Sequence, residues 1–216
     1  MNFTDGEMVF MNSITNGDKL YGLRFQTPGI INESNYINET LQELRKKDIL
    51  CSDDKLSEEG IIYTYLFEKF KSAKSRLIIN SMHVALIDKS DNAICIIRND
   101  TSGNEMVLVK CYDILIKLIK DCSYLREKTE EYNIAEKSIE TSQWFENMKN
   151  NQFDIINITV MNNEKTKCDR VFYYDKIKGY EYDKLTKIER IATPQYIRMF
   201  LMEELGIHYE KKWEEN

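Results

Sequence analysis

The sequence contains little of what flexible linkers, membrane spans and export signals require. Only two prolines and eight glycines occur among 216 residues, so we expect one body without a long linker. No run of about 18 apolar residues is present, and no segment is therefore predicted to cross a bilayer. The N-terminus MNFTDGEMVF has neither a basic region nor a long apolar core, so we expect no secretory signal.

Metal ligands are scarce as well. Only two histidines occur, His83 and His208, and no Cys-x-x-Cys spacing is present, so we expect neither a metal nor another cofactor. An odd number of scattered cysteines without an export signal predicts reduced thiols in a cytoplasmic protein. These cysteines are Cys51, Cys95, Cys111, Cys122 and Cys168. Cys95 and Cys111 are predicted to face each other on adjacent strands as buried thiols.

The usual signatures of catalysis are missing. No Gly-x-Ser-x-Gly and no glycine-rich phosphate loop occurs. Ser81 and His83 lie two apart on a predicted strand and would share a face, but a histidine packed for structure is favoured over a catalytic pair. We therefore predict a protein that is not an enzyme and has no catalytic residues.

The charge balance is acidic, with a net charge of −6 and a pI near 5.2. This balance disfavours a nucleic-acid partner, which needs clustered cations. Lys71, Lys74 and Arg76 form one basic patch; we interpret them as cations at a helix end, with a nucleic-acid contact as the alternative. The element order around Ser57 also fits a winged-helix regulator, although the glutamates of that helix disfavour DNA binding.

The hydrophobic pattern predicts an α+β fold. A capping box of Thr4 and Glu7 starts the first helix, and Thr193 with Pro194 starts the last. We expect the helix after Ser57 to bury Ile61, Ile62, Tyr65, Leu66 and Phe70. The further helices are predicted at about 34–47 and 113–125, and the strands at about 21–25, 76–88, 93–99, 105–112, 154–161, 169–174, 179–183 and 185–191. The last of these also fits a helix by its spacing, and we prefer the strand because Thr193 and Pro194 start a new helix.

One pattern occurs twice: a strand meander followed by an amphipathic helix. Hairpin-length turns predict a central, mostly antiparallel sheet flanked by helices, with a pseudo-two-fold repeat. We expect a single domain over 1–216, with halves of approximately 1–128 and 153–207. A polar segment between them, about 127–151, is predicted to form one or two helices.

The C-terminal third is rich in tyrosine, and its last helix carries two methionines. Tyrosine joins apolar area to a polar tip, and methionine offers adaptable apolar surface, so both suit protein interfaces. Core packing is the alternative explanation. The predicted partner-binding residues are Tyr174, Tyr180, Tyr182, Tyr196, Met199 and Met202.

The order of these segments resembles the EspG family, the cytosolic chaperones of ESX (type VII) secretion systems. The resemblance covers the opening helix at Phe3–Glu7, the strand Leu20–Phe25, the helix end Leu44–Leu50, the strand Val171–Tyr174 and the closing helix after Thr193–Pro194. It implies an EspG-like α+β fold and a cytosolic chaperone or accessory protein that caps an apolar tip on a partner until export.

The sequence thus favours a non-enzymatic, cytoplasmic protein-binding factor of a type VII (ESX/Trp-X-Gly) secretion system. One alternative is an immunity protein that neutralises a co-encoded toxin, and another is a winged-helix-like transcription regulator. The expected partner is a protein, either a secretion substrate or a toxin, with no nucleic acid and no membrane insertion. The oligomeric state stays open.

Overall fold

The computed structural model describes residues 1–17, 23, 25, 33–99, 103–128, 136–149 and 154–208. The chain divides into two compact units, Met1–Leu108 and Val109–Asn216. Leu23 is buried, whereas most of the strand predicted at 21–25 lies outside the described residues. The prediction of a single domain with halves of 1–128 and 153–207 stays a prediction, as does its pseudo-two-fold arrangement.

Within the described residues, helices and strands follow the α+β order. The helices are α1 (Asp5–Ile14), α2 (Glu33–Lys46), α3 (Glu58–Ser72), α4 (Cys111–Asp121), α5 (Thr141–Lys149) and α6 (Pro194–Glu204). The strands are β1 (Asn2–Phe3), β2 (Ser75–Ile79), β3 (Met82–Leu86), β4 (Asn92–Asn99), β5 (Gly103–Lys110), β6 (Glu136–Ser138), β7 (Asp154–Asn162), β8 (Lys165–Tyr174), β9 (Gly179–Asp183) and β10 (Ile188–Ile191). The fold-class prediction of antiparallel strands flanked by helices is confirmed.

The first unit begins at the predicted capping box. The Thr4 hydroxyl accepts a hydrogen bond from the Glu7 amide, and the Glu7 carboxylate accepts one from the Thr4 amide. The same carboxylate is fully buried and receives the Lys47 ammonium at 2.6 Å. One acidic side chain thereby closes the first turn of α1 and ties it to the end of α2.

The strands of the first unit follow the order β1-β5-β4-β3-β2. The single long strand predicted over 76–88 is wrong, because it forms the hairpin of β2 and β3. Asn80 makes this turn possible with a φ of 52°, a left-handed conformation that asparagine tolerates better than most residues. The apolar run on both sides of Asn80 concealed the turn.

The core of the first unit lies between the helices and one sheet face. Phe67 and Phe70 of α3 are buried there with Ile94 and Ile96 of β4. The predicted inner face of α3 is partly wrong: Ile61, Ile62 and Tyr65 are all exposed. The helix turns its Phe67 side to the sheet, since two phenylalanines bury more area than the isoleucine pair.

The strands of the second unit follow the order β7-β8-β9-β10-β6. The polar segment predicted as one or two helices contains one helix, α5, which confirms part of the prediction. Before α5 it contributes the edge strand β6, which pairs with β10 and was not predicted. Residues 129–135 and 150–153 of that segment lie outside the described residues. The preference for a strand at 185–191 is confirmed for Ile188–Ile191 by β10, whereas residues 185–187 belong to the turn before it.

Cys111 begins α4 and does not lie on a strand, so the predicted pairing of Cys95 and Cys111 on adjacent strands is wrong. All five cysteines are free thiols. In the part of the chain that the structure describes, no helix is long and apolar enough to cross a membrane.

Candidate partner-binding surface

Helix α6 places one row of side chains on the second sheet and another row outward. Its start is fixed by the Thr193 hydroxyl, which accepts a hydrogen bond from the Tyr196 amide at 3.1 Å, and by Pro194 in the first turn. Ile197 and Leu201 are buried, as their spacing of four predicts for one helix face. Met199 points away and is 61% exposed.

An open groove of roughly 700 Å³ runs along the outward side of α6 beside the start of β8. Three of the predicted partner-binding residues line it: Tyr196, Met199 and Met202. Arg170 of β8 and Phe200 complete the wall, and Ile207 follows the helix end. We call this surface the α6 groove.

Beneath the α6 groove lies a buried carboxylate held by two arginines. Glu181 of β9 is 1% exposed, and its two oxygens pair with Arg170 at 2.9 Å and Arg190 at 2.7 Å. Both guanidinium groups also donate to the Tyr196 hydroxyl, at 3.0 Å and 2.6 Å. Tyr196 is therefore held in one orientation by charge-assisted hydrogen bonds.

The electrostatics of this network keep the Tyr196 hydroxyl neutral and its two arginine partners charged. Burial raises the pKa of Tyr196, and the nearby Glu181 carboxylate raises it further, so the hydroxyl stays neutral. The hydrogen bond to Glu181 raises the pKa of Arg190, against the opposing effect of burial. A group that never changes charge near neutral pH positions its neighbours but transfers no proton.

The rim of the α6 groove is largely neutralised by internal pairs. The Lys167 ammonium meets the Glu204 carboxylate at 2.9 Å, and Arg170 lies over the Phe200 ring at 4.8 Å. Because these cations already have partners, the groove offers mainly methionine and aromatic surface. Such a surface suits an apolar ligand of variable shape.

The six predicted residues do not form one surface. Adjacent-strand partners share a sheet face, and β8 pairs Val171 with Tyr182 and Tyr173 with Tyr180. Tyr180 and Tyr182 therefore occupy the face opposite Arg170 and α6.

Tyr182 belongs to the core of that opposite face. Its ring is fully buried and stacks on Trp144 at 4.7 Å, and its hydroxyl donates to the Ile139 carbonyl at 3.1 Å. Tyr180 is half-buried and stacks on Tyr173 at 5.1 Å. Core packing, the alternative explanation, describes Tyr182, which offers no surface to a partner.

Tyr174 shares the α6 face but lies at the far end of β8. Four residues of strand, about 13 Å, separate it from Arg170. Its ring stacks on Tyr124 at 4.4 Å, beyond the lining of the α6 groove. In the sequence, Arg170 and Phe172 alternate on β8, and they share a sheet face with Glu181 of β9. This pattern marks the sheet face beneath the α6 groove, but the more numerous tyrosines drew the prediction to other positions.

The structure also places Ser81 and His83, the pair considered for catalysis in the sequence. Ser81 lies exposed in the β2–β3 turn while His83 is buried on β3, so the two do not share a strand face as predicted. Burial and the Arg98 charge lower the pKa of His83 to about 4. Within the described ranges, no group of three or more His, Cys, Asp or Glu side chains is placed to hold a metal.

The basic patch is engaged within the first unit. Lys71 donates to the Thr15 carbonyl and, at 3.1 Å, to its hydroxyl, which joins α3 to the end of α1. Arg76 donates to the Lys71 carbonyl, one of the last carbonyls of α3. These contacts are what cations at a helix end supply.

The fold and this surface define an α+β protein with an apolar groove along its last helix. A family model described as a domain of unknown function (DUF5081) matches residues 1–213, and the chain therefore belongs to that family. A search of curated proteins found no match to the chain.

Proposed function

We propose that the chain is a non-enzymatic, cytoplasmic protein-binding factor, and specifically a chaperone or accessory protein of a type VII (ESX/Trp-X-Gly) secretion system. The resemblance of its element order to the EspG family supports the secretion role. The single observation that carries the binding role is the α6 groove, in which Met199, 61% exposed, lies with Tyr196 and Met202 along one open surface. Large exposed apolar side chains beside a groove are typical of interaction sites.

The occupant that fits the α6 groove best is the apolar tip of an export substrate. Because the Lys167–Glu204 pair neutralises much of the rim, affinity has to come from apolar burial. Met199 and Met202 can repack around different tips, while the rigid Tyr196 supplies an anchor. Covering such a tip would prevent substrate self-association before export.

The test is co-purification of the tagged chain with the secretion substrates encoded beside it. We expect the chain and a substrate to purify as a complex, and we expect the amides of α6 to exchange hydrogen more slowly in that complex than in the free chain. Met199→Glu should reduce substrate recovery at least about tenfold, because a carboxylate in the groove loses its water on binding. The matched control is Leu185→Glu, since Leu185 is also exposed in the second unit but does not line the groove.

The same experiment separates the rival functions. Recovery of a toxin domain in place of an export substrate would favour the immunity protein. DNA binding whose affinity falls steeply with salt would favour the regulator. An export substrate recovered equally with Met199→Glu would refute the α6 groove as the binding surface.

A further inference from the structure

The outward side of α3 carries an apolar row that the described residues leave exposed. Ile61 is 57% exposed, Ile62 is 52% exposed and Tyr65 is 56% exposed. Glu58 lies at the N-terminal end of this row and Lys69 at its C-terminal end. We call these five residues the α3 stripe.

The α3 stripe adjoins further apolar surface. A groove of roughly 360 Å³ lies between α3 and the strands of the first unit, and Leu66, Ile87, Ile94 and Leu108 contribute to its lining. Leu108 is itself about half exposed. Single exposed apolar residues are normal on a protein surface, but a contiguous patch of this kind marks an interaction site.

The charges of the α3 stripe are arranged so that it complements itself. Glu58 and Lys69 are about three helical turns apart and so project on the same side. Among the described residues neither forms an ion pair, and the Lys69 ammonium lies 5.3 Å over the Tyr65 ring. One acidic end, an apolar middle and one basic end match an antiparallel copy of the same helix.

We propose that the α3 stripe is a homodimer interface in which α3 packs antiparallel against α3 of a second copy. With Glu58 opposite Lys69 of the second copy, Ile62 falls opposite its Tyr65. The two-fold axis repeats both pairs, as a self-complementary interface requires. A parallel arrangement is disfavoured because it would place Glu58 against Glu58 and Lys69 against Lys69.

The dimer is expected to be weak. A stripe on a helix of 15 residues, about 22 Å long, is smaller than the ~800 Å² per partner of a standard stable interface. We therefore expect a dissociation constant on the order of 10–100 μM. This interface lies on the first unit and does not depend on the function proposed for the α6 groove.

Sedimentation equilibrium of the full chain over about 5–500 μM tests the interface. We expect a monomer–dimer equilibrium that Ile62→Glu weakens at least about tenfold by placing a carboxylate against Tyr65. Glu58→Lys and Lys69→Glu should each weaken it several-fold, because each turns an attractive pair into a repulsive one. The double variant E58K/K69E should restore dimerisation to near the original strength.

Met199→Glu is the control, and it should dimerise like the unmodified chain because it changes only the α6 groove. Circular dichroism melting checks that each variant is folded. We expect all of them to fold, because the substituted positions are exposed. A chain that stays monomeric at every concentration overturns the proposal. So does a dimer that Ile62→Glu leaves intact, or a double variant no stronger than the single charge reversals.

Discussion

At the scale of single residues, the sheet face under α6 depends on one buried carboxylate. Glu181 pairs with Arg170 and Arg190, and both arginines donate to the Tyr196 hydroxyl. A buried ion pair adds little stability compared with an apolar replacement. The loss of one partner is costly, however, because the other charges then lie in the low-dielectric interior with weaker compensation. Removing the Glu181 carboxylate is therefore expected to lower the free energy of unfolding by more than its ion pairs add to it.

We predict that Glu181→Gln lowers the free energy of unfolding by about 3 kcal/mol, because it removes the nearest counter-charge of two partly buried arginines and leaves them only the longer pairs with Asp183 and Glu136. Urea unfolding followed by circular dichroism measures this loss. Glu140→Gln is the matched control, since Glu140 forms an exposed pair with Lys187 at 2.7 Å and should leave the midpoint almost unchanged. Equal losses from both variants would contradict the arrangement.

His83 is expected to make stability depend on pH. Its pKa falls from 6.5 to about 4 in the folded chain, through burial first and the Arg98 charge second. Between these values the unfolded chain binds more protons, so the free energy of unfolding decreases as pH falls from 6.5 to about 4. The total decrease is on the order of 3 kcal/mol, and His83 adds no dependence above that window.

The measurement is urea unfolding at several pH values with the variant His83→Gln. We expect the variant to lose much of the slope in this window, whereas His208→Gln keeps it because His208 is exposed. Parallel slopes for the unmodified chain and His83→Gln would show that other groups cause the pH dependence.

At the scale of elements, α3 shows how a helix with apolar residues on two sides chooses its buried face. Phe67 and Phe70 lie on one side, and the α3 stripe lies on the other. Spacing alone fits either choice. The sheet below decides, because Ile94 and Ile96 accept the larger aromatic side chains.

This choice leads to a prediction within one helix. Phe67→Ala should lower the free energy of unfolding by about 3–5 kcal/mol, because the ring is fully buried and leaves a cavity. Ile61→Ala should change it by less than about 0.5 kcal/mol, as expected for an exposed position. Chemical unfolding of both variants measures these changes. A larger loss of unfolding free energy for Ile61→Ala than for Phe67→Ala would show that the buried face of α3 is assigned wrongly.

At the scale of the whole molecule, the five cysteines differ in how exposed they are to solvent. Cys95, Cys111 and Cys168 are buried, Cys122 is half-buried and Cys51 is exposed. Burial also raises the pKa of Cys168 to about 11, which keeps its thiol protonated and unreactive. Accessibility therefore favours Cys51 as the reactive thiol.

Titration with a thiol reagent at neutral pH should find one rapidly reacting cysteine in the folded chain and all five after unfolding. Cys51→Ser should remove the rapid phase, because the other thiols react only as the chain opens. A rapid phase that persists in this variant would show that one of the other four thiols is accessible.

Local sequence rules were sufficient wherever a few neighbouring residues decide the structure. The capping box of Thr4 and Glu7 and the start of α6 at Thr193 and Pro194 are of this kind, because each cap closes its own helix turn. The β2–β3 turn was missed because Asn80 and Ser81 are flanked by apolar residues on both sides, so the local pattern predicts one strand. The edge strand β6 was missed because all three of its residues are exposed and no hydrophobic alternation marks it.

The sequence by itself determined the α+β class, most element positions and three residues of the α6 groove, since periodicity and capping act over a few residues. Only the tertiary structure decided which faces are buried: it placed Tyr182 against Trp144, gathered Glu181 with two arginines, and left the α3 stripe exposed. Those outcomes depend on partners distant in the chain, where strand register and side-chain volume select one packing among several that the local pattern allows.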